Sequence, residues 1–111
     1  MRELTSQVII ASKEQPMPPT VELTRFRVSP HNVERLLAAR AAMITDFEAD
    51  RQGFLGAQLV RLPDDHWLDI VQWRSPEDFA ESRAKGANLP GIEAFFAAID
   101  SLVSAEEGTS A

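Results

Sequence analysis

The sequence predicts one α+β domain of the ferredoxin-like type, an antiparallel sheet with helices on one face. Three observations carry that prediction: an alternating run followed by a long amphipathic stripe, two strand-like runs joined by turn residues, and an acidic, capped helix start directly after them. Their order is strand, helix, strand, strand, helix, which is most of a βαββαβ unit.

Thr20 to Val28 alternates, with Val21, Leu23, Arg25 and Arg27 on one side and Glu22, Thr24, Phe26 and Val28 on the other. Ser29 then offers an N-cap and Pro30 a preset φ at the first helical position. Val33, Leu36, Leu37, Arg40, Ile44 and Phe47 follow at spacings of three and four, one stripe of a helix that stops near Gly53. Phe54 to Leu62 and His66 to Trp73 read as two strands, and Pro63, Asp64 and Asp65 between them are hairpin chemistry. Ser75, Pro76, Glu77 and Asp78 supply an N-cap, a first-turn proline and two carboxylates at the positive end of a helix dipole. That helix turns Phe79 and Ala80 inward and breaks near Gly86. A further helix after Pro90 aligns Ile92, Phe95, Phe96, Ile99, Leu102 and Val103.

The last strand of the unit is missing from this reading. Residues 104–111, SAEEGTSA, are polar and are expected to be a flexible tail. An apolar run, Gln7 to Ser12, stands unplaced ahead of Pro16, Pro18 and Pro19. A strand that precedes the first by a short loop can take the same sheet edge, so the N-terminal arm, residues 1–19, is expected to supply it from residues 5–12, the competing reading being a disordered arm or one that crosses to a partner subunit. The domain proper then spans residues 20–103.

At 111 residues and 44% hydrophobic, the chain has material for one core and no second domain. It has no cysteine, which excludes disulfides, thiol nucleophiles and thiolate metal sites. The two histidines, His31 and His66, leave little for a transition-metal site. His66 follows Asp64 and Asp65, but adjacent strand residues point to opposite faces, so the cluster reads as a solvated turn and no metal is expected. A net charge of -6 spread along the chain repels phosphate backbones and argues against nucleic acid. No run is long enough to span a membrane, and the N-terminus lacks a secretory signal, so a cytoplasmic location is expected.

The segment GFLGAQLVRLPDDHWLDIVQWRSPEDF, from Gly53 to Phe79, resembles the antibiotic biosynthesis monooxygenase family of dimeric α/β barrels. The residues that carry the resemblance are Gly53-Phe54 opening the second strand, Trp73 ending the third, and the serine-capped helix of Ser75-Pro76-Glu77-Asp78-Phe79. The resemblance implies a homodimer, a small aromatic or apolar ligand and, in the cofactor-free members that oxidise aromatic polyketides, no bound cofactor. In those members Trp73 matches a tryptophan of the third strand, while Asp69 stands in place of an asparagine, Val60 of a histidine and Phe79 of a tyrosine. The positions used by haem-degrading members hold Thr24, Ser82 and, approximately, Ile92. With no histidine there, the axial ligand is lost and haem degradation is not expected.

On the third strand Trp67, Asp69, Val71 and Trp73 share a face. A carboxylate between two indoles suggests a general base that draws a proton from a phenol or quinol, making an electron-rich anion that reacts with dioxygen. Asp69 and Trp73 are the candidate catalytic residues. Trp67, Phe79, Thr24, Phe26 and Arg83 are the candidate pocket, with the indoles as flat walls. Each has a plainer reading: Asp69 in a cross-strand pair with Arg25 or Arg27, Trp73 as a core pin, Trp67 at a dimer interface and Arg83 on a solvated helix face. Two functions follow: a monooxygenase-like domain oxidising a phenolic, quinol or polyketide-type compound without a cofactor, or a non-catalytic ligand-binding homodimer of the same fold.

Overall fold

The computed structural model describes residues 18–111, and the strand expected over residues 5–12 lies outside them. Four strands form one antiparallel sheet: β1 (Thr20–Arg27), β2 (Phe54–Arg61), β3 (His66–Trp73) and β4 (Ser101–Thr109), in the order β2-β3-β1-β4. The helices are α1 (Val33–Asp50), α2 (Pro76–Lys85) and α3 (Pro90–Ala97). This is the ferredoxin-like α+β arrangement, with the core between the helices and one face of the sheet.

The local signals act much as their chemistry requires. Asp64 and Asp65 both take positive φ, 62° and 64°, which a tight hairpin turn between twisted strands demands and aspartate tolerates. The Ser75 hydroxyl caps α2 by accepting from the Asp78 amide at 3.1 Å. Ser29 does not cap α1; it precedes a short 3-10 turn, Pro30–Asn32, and the α-helix starts at Val33. Gly53, at φ 81°, ends the α1 connection where any Cβ would collide with the Asp78 side chain. Gly91 lets α3 approach the Ala42 backbone of α1, where a Cβ would sit 2.6 Å from it.

Two expectations are corrected here. The β1 edge is occupied by the C-terminal segment, so residues 104–111 form most of β4 rather than a flexible tail, and the domain extends past residue 103. The last helix ends at Ala97, which places Leu102 and Val103 in that strand. The physical reason is that an edge strand is held by its backbone. The Asp100 amide donates to the Arg27 carbonyl at 2.9 Å and the Ser110 amide to the Pro19 carbonyl at 2.9 Å, bracketing the β1–β4 ladder at both ends. Asp100 also accepts the Ser29 amide, which holds its carboxyl below the usual range and fixes where the chain turns into β4. Side chains such as Glu106 and Glu107 suit an exposed edge and conceal the strand from a hydrophobic pattern. Ala80, expected inward, is exposed, and α2 instead buries Phe79, Ser82 and Asp78.

Candidate functional site

Between the sheet and the helices lies a cavity of about 410 Å³. Its apolar wall comes from Phe26 of β1, Met43 and Phe47 of α1, and Phe95 and Phe96 of α3, and β4 closes one side with Leu102 and Ala105. Its polar groups are Glu22, Thr24 and Asp69. Alternation puts them there: Thr24 is the register partner of Asp69, and Glu22 lies two residues along β1 on the same face.

Asp69 is buried and faces both the cavity and an arginine. Its two oxygens accept from Arg40 Nη1 and Nη2 at 2.7 and 2.8 Å, a bidentate pair in which both side chains are about nine-tenths buried. The expected partners, Arg25 and Arg27, alternate onto the opposite face of the sheet, so the cross-strand pairing is corrected to a helix-to-sheet pair. Arg40 was legible as a charged residue within the apolar stripe of α1, the mark of a buried ion pair. The guanidinium also lies 5.3 Å from the centre of the Phe95 ring.

The indoles stand behind the cavity wall rather than forming it. Trp73, 1% exposed, packs against Phe47 and Phe54 at 5.7 Å and stacks on Phe79 at 6.0 Å. Its Nε1 donates to Glu22 Oε1 at 3.0 Å. Trp67 is buried beneath the Arg61 guanidinium in the single chain, and its Nε1 is the one buried side-chain polar atom without a partner among the described residues. Thr24 and Phe26 line the cavity as expected, while Phe79 and Arg83 line a neighbouring hollow of about 170 Å³ that also reaches Glu22. There Arg83 lies 4.5 Å from the centre of the Phe79 ring. Arg51, buried at the end of α1, donates to Ser82 Oγ at 2.7 Å and ties α1 to α2 behind that hollow.

Glu22 is the polar residue that the sequence reading passed over, although its face on β1 was plain. Burial pushes its carboxyl above the ordinary value of 4.5, the indole hydrogen bond pulls it back, and the Asp69 charge raises it again. His66 sits at the hairpin, and no group of three metal-ligating side chains occurs among the described residues.

No family model and no curated protein matches this sequence. Solved structures do match the fold. A protein of Bordetella bronchiseptica, described by name alone as an antibiotic biosynthesis monooxygenase, superposes with a TM-score of 0.72 at 13% identity, over 85% of this chain and 98% of that one. SnoaB, a cofactor-independent oxygenase from Streptomyces nogalater, matches at 26% identity and a TM-score of 0.55, over 85% and 92%. The fold is that of the antibiotic biosynthesis monooxygenases. The monooxygenase from the gene ActVA-Orf6 of Streptomyces coelicolor, in complex with Nanaomycin D, matches at 19% identity and a TM-score of 0.60, over 85% and 88%. The resemblance drawn from Gly53 to Phe79 therefore extends to the whole described sheet. Val60, at the position of a family histidine, lies on the sheet face away from the cavity, since its neighbour Leu59 pairs with Asp69.

Arg40→Met is expected to destabilise the fold by about 3–5 kcal/mol, because Asp69 is left charged and buried without a partner. Pairing it with Asp69→Leu should recover most of that loss. Denaturant unfolding of the singles and the double measures the coupling, and additive losses would mean the pair does not hold α1 to the sheet.

A carboxyl raised on folding binds more protons in the folded than in the unfolded chain, so it stabilises less as pH climbs from its unfolded value through its folded one. Wild type should therefore lose stability relative to Glu22→Gln as pH rises from 4.5 toward neutrality. Melting temperatures across that range check it; a constant difference would place Glu22 in water.

Proposed function

We propose that the chain is a homodimeric, cofactor-independent oxygenase-type domain acting on a flat phenolic, quinol or polyketide-type compound. The observation that carries the reading is a cavity walled by aromatic rings whose polar lining is Glu22, Thr24 and Asp69, the last held by Arg40 from behind the lining. Such a space suits a planar apolar ligand with one oxygen to be held. The names of SnoaB and of the Nanaomycin D complex support it.

In this reading Arg40 neutralises Asp69 from behind the cavity lining, and Arg83, lining the adjoining hollow, is the fixed positive charge an ionised substrate oxygen can reach. Asp69 is then an anchor, because both its oxygens are engaged. Trp73 acts through Glu22 as a positioning residue, and Phe79 holds Arg83 at the adjoining hollow. For a methylene flanked by aromatic rings, the overall reaction converts CH2 and O2 into a carbonyl and water. The substrate supplies all four electrons, so no reductant is called for.

That same engagement of Asp69, with Phe79 and Val60 at positions where the family resemblance implies a hydroxyl and an imidazole, favours a second reading, a binding dimer without turnover. Oxygen uptake by metal-stripped protein with a panel of hydroquinones and anthrones separates the two. Uptake above the buffer rate is expected, and tight binding of the same compounds without uptake would establish the binding module.

The homodimer is supported by exposed Leu102 and Val103 on the edge strand and by the half-exposed Val21, Leu23 and Ile70 on the sheet face turned from the helices. Sedimentation at micromolar concentration should show twice the 12.3 kDa chain mass, and a 12.3 kDa species alone would refute the dimer.

A further inference from the structure

Glu22 occupies a position that no other ionisable side chain among the described residues shares. It lines the main cavity, the hollow of about 170 Å³ beside Arg83, and a third of about 140 Å³ that opens past Glu106 and Glu107. A ligand extending from the aromatic cavity into either smaller hollow passes this carboxylate. The hydrogen bond the structure gives Glu22 comes from Trp73 to Oε1. Asp69, by contrast, has both oxygens turned to Arg40.

The charges around Glu22 come from every side. Asp69 faces it from β3 and Arg40 from α1; Arg83 approaches from α2, and Arg51, bound to Ser82, from the end of α1. Glu107 is its register partner on β4. Two of its carboxylate neighbours differ in kind: Asp69 is neutralised by its pair, while Glu107 is exposed to water.

We propose that Glu22, and not Asp69, is the proton acceptor of this site, an inference that rests on the oxygenase reading given above. The substrate's acidic bond breaks, the O–H of a phenol or quinol or the methylene C–H of an anthrone, the proton forms an O–H bond on the Glu22 carboxylate, and the electron pair stays on the substrate as a phenolate or enolate. The negative charge thus moves from Glu22 to the substrate, where Arg83, which lines the smaller hollows with Glu22, stands near to receive it. Half-burial suits the task. A carboxylate kept partly from water is a stronger base than one at the surface, and the Trp73 hydrogen bond fixes one oxygen so that the other is free to accept.

The experiment is steady-state oxygen uptake with an anthrone, over pH, for wild type, Glu22→Gln and Asp69→Asn. Glutamine keeps an oxygen for the Trp73 indole, and melting curves confirm that each variant is folded. Glu22→Gln should lower kcat by about 100-fold or more with KM changed less than about threefold, as expected for loss of a general base. In wild type kcat/KM should rise with pH along a limb lying above 4.5, since the ionised form is the base, and Glu22→Gln should abolish that limb. The proposal is overturned if Glu22→Gln keeps kcat within about threefold and retains the limb, or if Asp69→Asn alone removes it. Wild type without uptake on any anthrone or hydroquinone overturns the oxygenase reading and the role of Glu22 with it. Wild-type turnover that is indifferent to Glu22→Gln overturns the role of Glu22 alone.

Discussion

Trp73 is the side chain on which the other parts of this domain converge. Its ring meets Phe47 of α1, Phe54 of β2 and Phe79 of α2, so one indole connects two helices to the sheet. Its N–H also finds an acceptor, Glu22 on β1. The consequence reaches beyond packing. A glutamate that would be easier to hydrate at the surface is retained at the wall of an apolar cavity, because the core residue beside it needs an acceptor. Structural necessity and chemical opportunity therefore meet in one hydrogen bond.

The second charged element has a different origin. Arg40 lies on the stripe of α1 that faces the sheet, and an unpaired guanidinium there would be strongly disfavoured. Asp69 answers it with both oxygens, and the Phe95 ring lies against the guanidinium. The pair is nearly neutral as a unit but strongly dipolar, with Asp69 in the cavity lining and the guanidinium behind it, both fixed before a ligand arrives. A fixed dipole does not reorganise when charge develops beside it, which is what distinguishes such a wall from water. Glu22 differs in having no charged partner in contact among the described residues, so it retains the capacity to change its protonation.

How far the sequence disclosed this follows from the range of each signal. The Asp64-Asp65 turn, the Ser75 cap and the period-two face of Trp67, Asp69, Val71 and Trp73 are local and were readable. The partner of Asp69 was not, because helix-to-sheet pairing depends on how α1 rotates over the sheet: Ala39 and Met43 are buried while Leu37 is exposed. Trp73 as a core pin was among the readings the sequence offered, and its burial bears that out; the depth of Trp67 was not legible, since the sequence shows which face a side chain takes but not how deep it lies. Strand β4 was missed because side-chain pattern was the only criterion, and an edge strand satisfies its backbone with little apolar surface.

That weakly patterned strand also shapes the cavity. The β1–β4 register shifts between Arg25 and Phe26: Arg25 opposes Ser104, but Phe26 opposes Leu102. Val103 is thus an extra residue on β4, a bulge in the ladder. In a regular ladder Val103 would sit opposite Phe26 and face the helices, and Leu102 would turn to the other side. The bulge brings Leu102 to the cavity wall, and both residues stay largely exposed, Leu102 at 63% and Val103 at 46%. One inserted residue, in a segment with almost no hydrophobic signal, therefore selects the larger side chain for the cavity wall.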